Sequence, residues 1–213
     1  GAYDALPVVV LIVFRITLFF LPVYVALMGF DQLSGELAPR SLRYLVVRAR
    51  RSSILTGKFL VQAVLLIGLV LAVDLCITIY ALVVEPDFTL GAAIPGLIKL
   101  WLAASLFSLA YVALTTLCST VSRSPAVSLA LNFVMLLMFW LADVVGSGRA
   151  VMAESAGEPE PASAWVRYLS PSHYGSKLLD PDVTTYLTSA GAYAVFASLF
   201  LALALLALRT RDV

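Results

Sequence analysis

The sequence predicts an all-α bundle of membrane-spanning helices. Of its 213 residues, 62% are hydrophobic and only 13% are charged, whereas soluble domains are close to half apolar and a quarter charged. Five apolar runs are each long enough to cross about 30 Å of hydrocarbon, which takes roughly 20 helical residues. Because a bilayer offers no water to unpaired backbone groups, these runs are expected to be helices, and the alternation of a membrane β-barrel is absent.

The five predicted spans form one domain over residues 1–213. They cover residues 7–29, 55–84, 97–121, 126–146 and 189–208. Pro7 and Pro125 suit the first turns of the first and fourth spans, where the N–H that proline lacks would be unpaired, and Pro22 is expected to kink the first span. We find no internal repeat and no sign of a second domain.

The most polar stretch between spans is residues 31–58, of which we assign 31–54 as a cytoplasmic segment. It carries six of the 14 Lys and Arg residues: Arg40, Arg43, Arg48, Arg50, Arg51 and Lys58. Its apolar residues lie on one helical face and its arginines mostly on the other. The pattern predicts an amphipathic helix on the membrane surface. It leaves two interpretations open: a helix that sets topology and binds anionic lipid, or a docking surface for an ATPase.

The distribution of basic residues predicts the orientation of the bundle. The 31–58 segment, Arg123 and the tail with Arg209 and Arg211 fall on one side, and cytoplasmic loops carry such an excess. The C-terminus is therefore expected in the cytoplasm and Gly1 outside. The extracytoplasmic loop covers residues 147–188. We interpret its first part, to Ala164, as flexible and its second part, from Trp165, as interfacial.

Three ionisable residues fall within apolar runs: Arg15, Asp74 and Asp143. Each costs about 2.5–3.5 kcal/mol on insertion scales, so such residues are functional candidates. Asp143 lies near a predicted helix end and is interpreted as hydrated. Arg15 is placed to snorkel outward. Asp74 is the deepest of the three, and two alternatives remain: a pair with Arg15 across the bundle, or a place on a transport pathway.

Motifs for catalysis, metal binding or nucleotide binding are missing from the sequence. The single histidine, His173, is interpreted as an interfacial polar residue, and Cys76 and Cys118 lie in apolar runs, which argues against a metal site or a disulfide. Gly57-Lys58 lacks the glycine-rich loop that binds phosphate, and Gly146-Ser147-Gly148 is interpreted as a loop. We expect no catalytic residue, no metal and no cofactor in this chain.

Short motifs give the chain a family resemblance. A proline-containing span is followed by Asp31, Gly35-Glu36, a basic stretch and Gly57-Lys58. The C-terminal part contains Leu169-Ser170-Pro171, His173-Tyr174, Asp182, Tyr186 and an Arg209–Arg211 tail. This pattern resembles the permease subunits of ABC-2 type transporters, particularly the branch that includes nitrous-oxide-reductase maturation and gliding-motility permeases.

The chain also departs from the family pattern. The family's Pro-x-x-Arg is Arg48-Ala-Arg-Arg51 here, so only the last arginine corresponds, and the threonine expected before it is replaced near Arg40-Ser41. The family has six spans with both ends in the cytoplasm. We therefore expect a further span before Gly1.

The resemblance implies an exporter subunit of the bacterial inner membrane. It would form a homodimer, or pair with a related permease, on two cytoplasmic ATPase subunits that bind ATP and Mg²⁺. Residues 31–51 would contain the coupling helix, and the 165–188 segment would form an outer gate. The implied ATPase-coupling residues are Asp31, Glu36, Arg40, Arg43, Arg48 and Arg51. The implied gate residues are Pro171, His173 and Tyr174.

Other functions remain compatible with the sequence. One is a membrane anchor or mechanical transducer for an ATPase. Another is an ATP-independent channel or secondary transporter, although such proteins favour more buried polar residues and broken helices. A neighbouring gene for an ATPase with a Walker motif would support the first two functions and not the third. The residue pattern does not identify the substrate.

Overall fold

The computed structural model describes residues 6–37, 51–180 and 182–210, except for the side chains of Glu36, Leu37, Arg51, Ser176 and Leu179. The α-helices in these ranges are α1 (Val8–Gly29), α2 (Ser34–Leu37), α3 (Arg51–Val84), α4 (Leu90–Val121), α5 (Pro125–Ala156), α6 (Pro171–Gly175) and α7 (Val183–Thr210). Two 3-10 helices, Ala162–Leu169 and Ser176–Leu179, flank α6. Within the described ranges there is no strand. The predicted all-α class is therefore confirmed.

Five helices, α1, α3, α4, α5 and α7, are long and apolar enough to cross a membrane. Among them α4 is central, because it packs against each of the other four. Its buried face is rich in small residues, including Ala103, Ala104, Ala110 and Ala113. Small side chains let helices approach closely where the solvent is lipid and gives no hydrophobic drive for association.

Helix α5 corrects the predicted loop that began at Ser147. The helix continues to Ala156, so Gly146-Ser147-Gly148 lies inside it. It ends at Gly157, whose φ of 68° is a left-handed conformation that glycine adopts without strain. Composition misled the prediction: glycine and serine suggested a loop, whereas the Arg149–Ala156 stretch consists mostly of good helix formers.

The two prolines at helix starts fit their predicted places. Helix α1 begins directly after Pro7, and α5 begins at Pro125 with Ser124 as its N-cap, whose hydroxyl accepts a hydrogen bond from the Val127 N–H. Pro22 lies inside α1, which is assigned as one continuous helix from Val8 to Gly29.

The bundle has two distinct ends. At the first, which we call the basic end, α1, α4 and α7 finish and α3 and α5 begin. The predicted amphipathic helix belongs between α2 and α3, and residues 38–50 lie outside the described ranges. At the opposite end, the described residues between Gly157 and Asp182 fold as two 3-10 helices around α6 and pack on α4, α5 and α7. We call these residues the 157–182 segment.

Candidate functional site

The turn between α1 and α2 is bonded to α4 at the basic end. The hydroxyl of Ser119 accepts hydrogen bonds from the backbone N–H groups of Leu33, at 2.9 Å, and Ser34, at 3.0 Å. All three residues are fully buried. The first N–H groups of a helix have no partner within it, so Ser119 caps α2 from a distant helix.

The same turn is bonded to α3 through Gln32. The Gln32 side chain donates to the backbone oxygen of Lys58 at 2.7 Å, and the Lys58 ammonium donates to the backbone oxygen of Gln32 at 2.5 Å. The Thr116 hydroxyl of α4 lies 3.4 Å from the Gln32 amide oxygen. Residues 32–34 are thus attached to two long helices; together with Lys58, Thr116 and Ser119 we call them the junction.

Close packing at Gly29 completes the contact of α1 with α3 and α4. A Cβ atom at Gly29 would lie 2.8 Å from Cγ2 of Thr115 and would overlap the amide nitrogen of Gln62. The amide oxygen of Gln62 is buried, with no hydrogen-bond partner among the described residues. A methyl group here would require Thr115 and the Gln62 amide to shift, so glycine favours the close approach of α1 at this level.

The predicted ATPase-coupling residues begin at the junction. Asp31 is exposed in the turn directly before it, and Glu36 lies in α2 with its side chain outside the described set. Arg51 is the first residue of α3, and its side chain is likewise outside that set. Arg40, Arg43 and Arg48 lie in the range 38–50, which the structure does not describe.

Arg15 and Asp74 do not pair. Arg15 is on the exposed face of α1, whereas Asp74 is 2% exposed and belongs to the buried stripe of α3. Oδ2 of Asp74 has no hydrogen-bond partner among the described residues. Of the two alternatives for Asp74, the cross-bundle pair is therefore not formed within one copy of the chain.

A second polar cluster lies at the opposite end, around His173. Nδ1 of His173 is 3.1 Å from Oδ1 of Asp143 in α5, and its Nε2 is 2.8 Å from the ammonium of Lys177. The Ser147 hydroxyl donates to the same Asp143 oxygen at 3.3 Å. The interpretation of Asp143 as merely hydrated is wrong, because its carboxylate bonds a histidine of the 157–182 segment.

Burial and a neighbouring cation set the charge of His173. The pKa of His173 is lowered, first by burial and then by the Lys177 ammonium, while the hydrogen bond and charge of Asp143 act in the opposite direction. The neutral imidazole is therefore the dominant form at neutral pH.

The predicted gate residues lie together in α6 and are held by the long helices. Pro171 is buried, and its backbone oxygen accepts a 2.6 Å hydrogen bond from the Tyr193 hydroxyl of α7. The Tyr174 hydroxyl donates to the backbone oxygen of Tyr168. The hydroxyls of Tyr111, in α4, and Ser172 are 3.2 Å apart. Helix α6 is thus bonded to α4, to α7 and to the first 3-10 helix, and through His173 to Asp143 of α5.

The first 3-10 helix is fixed on α5 by backbone packing. A Cβ atom at Gly146 would lie 2.7 Å from the Arg167 nitrogen and 3.0 Å from the Ala164 oxygen. The Arg167 guanidinium donates to the Tyr168 hydroxyl at 2.8 Å and forms an ion pair with Glu160 at 2.9 Å. These interactions, the Tyr168 hydrogen bond above all, raise the pKa of Arg167.

Sequence reasoning missed the partners that hold both clusters together. Nothing in the sequence pattern marks Gln32, Thr116 and Ser119 as partners, because isolated polar residues are common in membrane helices. The His173–Lys177 spacing of four did offer a local signal, since residues four apart share a helical face.

A comparison with known families identifies a match that covers almost the whole chain. The chain matches the model of a family described as "ABC-2 family transporter protein" over residues 4–213. No curated protein gives a match.

Proposed function

The chain belongs to the ABC-2 transporter family, and on this premise we propose that it is the permease subunit of an ATP-driven exporter in the bacterial inner membrane. A separate cytoplasmic ABC ATPase would dock on residues 31–51. Within the family, the residue motifs favour the branch of nitrous-oxide-reductase maturation and gliding-motility permeases.

The observation that carries this proposal is the double attachment of the junction. Residues 32–34 are bonded to α4 through Ser119 and to α3 through Lys58. A force on the segment after α2 would therefore act on α1, α3 and α4 together. A flexible linker at this position would absorb the same force without moving the helices.

The charges of the docking segment suit an ATPase surface. Arg40, Arg43 and Arg48 would bind acidic or carbonyl groups of the partner, and charge-assisted hydrogen bonds are the strong class of such contacts. ATP would close the ATPases in one state of the complex, and binding to that state biases the permease toward its matching conformation. Asp31 is exposed beside the junction and is open to such contact.

The exposed position of Arg15 favours pairing with a second permease. An arginine that faces lipid within a span costs about 2.5–3.5 kcal/mol on insertion scales. Arg15 lies on the exposed face of α1 and is uncovered within one copy. A second copy, or a related permease, would place it at an interface or beside a hydrated pathway.

The two ends of the bundle suggest its orientation in the membrane and the position of the gate. The basic end would face the cytoplasm, with the C-terminus, by the excess of Lys and Arg there. The 157–182 segment would lie outside the membrane and close the exit of the pathway with Pro171, His173 and Tyr174.

Purification of the native complex tests this function. The protein is extracted from its own membrane in mild detergent, with and without gentle crosslinking, and its companions are identified and assayed. A stoichiometric soluble protein with ATPase activity is expected. A chain that emerges alone in both preparations would overturn the proposal and favour a channel or secondary transporter. An ATPase that turns over without any transport would favour the anchor or mechanical transducer.

A further inference from the structure

The hydrogen bonds around His173 fix which ring nitrogen carries the proton. An ammonium has only donors, so Nε2 of His173 must accept the bond from Lys177. The remaining proton is then on Nδ1, which donates to Asp143. Only a neutral histidine can serve both partners, because a protonated ring has no acceptor left.

We propose that His173 is a proton-operated latch that holds Lys177, and the turn that carries it, against α5. Protonation of Nε2 removes the acceptor and places two cations side by side, so Lys177 leaves. The bond between Nδ1 and Asp143 remains, now as an ion pair. The latch lies within the proposed outer gate, and its role in transport rests on that proposed function.

The surroundings of His173 make the response local. The charged and titratable groups that face the ring are Asp143 from α5, Arg167 and Tyr168 from the first 3-10 helix, Tyr174 from its own helix, and Lys177. Among these Asp143 is the only acid. A proton on His173 therefore gains one attraction, to Asp143, and repels the cation closest to it.

Helix α6 would stay in place when the latch opens. Tyr193 bonds Pro171, and Tyr111 lies within bonding distance of Ser172, so α7 and α4 hold the start of α6 independently of His173. Lys177 belongs to the next helix, Ser176–Leu179, which ends in a hydrogen bond from the Asp180 N–H to the Lys177 oxygen. The expected change is a loosening of residues 176–180 next to a fixed α6.

The sign of the pH dependence follows from the lowered pKa of His173. Since the folded protein binds this proton less well than an unfolded chain does, the latch contributes fully above the ordinary histidine pKa of about 6.5. Its contribution is lost as the pH falls below that value. Acid on the outer side would thus open the segment.

Hydrogen exchange of the full chain in lipid nanodiscs, at pH 5 and pH 8 with times corrected for intrinsic exchange, tests the latch. Peptides over 176–180 should exchange about tenfold faster at pH 5, as expected for the loss of one charge-assisted hydrogen bond. His173→Gln keeps an acceptor for Lys177 that does not titrate, so its exchange should not depend on pH.

Lys177→Met supplies a second test, because it removes the donor of the latch. Residues 176–180 then have no bond to His173 that a proton could break, so their exchange in this variant should not depend on pH. Equal exchange of the wild type at both pH values, or the same pH response in all three proteins, would overturn the latch. The assay needs neither ATP nor a partner, so its failure would leave the proposed permease function standing.

Discussion

Gln32 and Lys58 are joined twice, because each side chain donates to the backbone oxygen of the other residue. The two residues are 26 positions apart, and the stretch between them includes the predicted coupling helix. The pair holds the two ends of this stretch, Gln32 and Lys58, next to each other. A displacement of the stretch by a partner must therefore either break the pair or carry α1 and α3 along.

Ser119→Ala should weaken the junction. The substitution leaves the buried N–H groups of Leu33 and Ser34 without their acceptor, and each unsatisfied buried group costs about 1–3 kcal/mol. We expect a lower thermal unfolding temperature in detergent and weaker coupling of ATP turnover to transport. Ser198→Ala is the matched control, because that exposed hydroxyl donates to the Ala194 backbone oxygen of its own helix. Equal effects of the two substitutions would contradict a role for Ser119 in the junction.

Gly29→Ala should destabilise the bundle by overpacking, typically about 1–3 kcal/mol. The added methyl meets Thr115 and Gln62, so part of the loss should return when Gln62→Ala is added. Gly68→Ala in α3 is the control, since a Cβ there meets nothing within 4 Å. Unfolding temperatures of the four variants measure the coupling. Additive effects of the Gly29 and Gln62 substitutions would show that the two sites do not touch.

Gly146→Ala should detach the first 3-10 helix from α5. The new methyl would collide with the Arg167 nitrogen and the Ala164 oxygen, which are backbone atoms and cannot rotate away. We expect faster proteolysis or hydrogen exchange of residues 162–169. Gly148→Ala, two residues along the same helix, has open space around its Cβ and should behave as the wild type. A loss confined to Gly148→Ala, or shared equally, would refute the packing argument.

How much of the molecule the sequence predicts depends on the range of the interactions. Long apolar runs are local signals, so the five long helices were predictable, and the end of α5 was missed because Gly157 and not Gly146 terminates it. The bond between Leu33 and Ser119 joins residues 86 positions apart. His173 and Lys177 are neighbours in sequence, but Asp143 lies 30 residues away from His173. Such distant pairs cannot be identified from one sequence, because many other polar residues in the chain could donate or accept the same hydrogen bonds.

Arg15→Leu should lower transport-coupled ATP turnover without lowering the stability of the chain. The substitution removes a charge from the exposed face of α1, which favours insertion by about 2.5–3.5 kcal/mol. The isolated chain should therefore be as stable as the wild type or more so. If Arg15 faces a second permease or a hydrated path, transport-coupled ATP turnover should fall several-fold. Ile16→Leu, at the neighbouring exposed position, is the control. Unchanged turnover in Arg15→Leu would mean that Arg15 merely reaches the membrane surface.

Glu36→Ala should uncouple ATP turnover from transport without dissociating the complex. Glu36 lies in α2, one turn beyond Asp31 and directly before the predicted coupling helix, where the family resemblance implies contact with the ATPase. Loss of a charged partner at an interface removes a charge-assisted hydrogen bond, so ATP turnover during transport should fall several-fold. The mass of the detergent-extracted complex should stay the same. Glu154→Ala, an exposed acid at the opposite end of the bundle, is the matched control. Because the junction is bonded through Gln32, Leu33 and Ser34, wild-type turnover in Glu36→Ala would remove Glu36 from the mechanism and leave the junction intact.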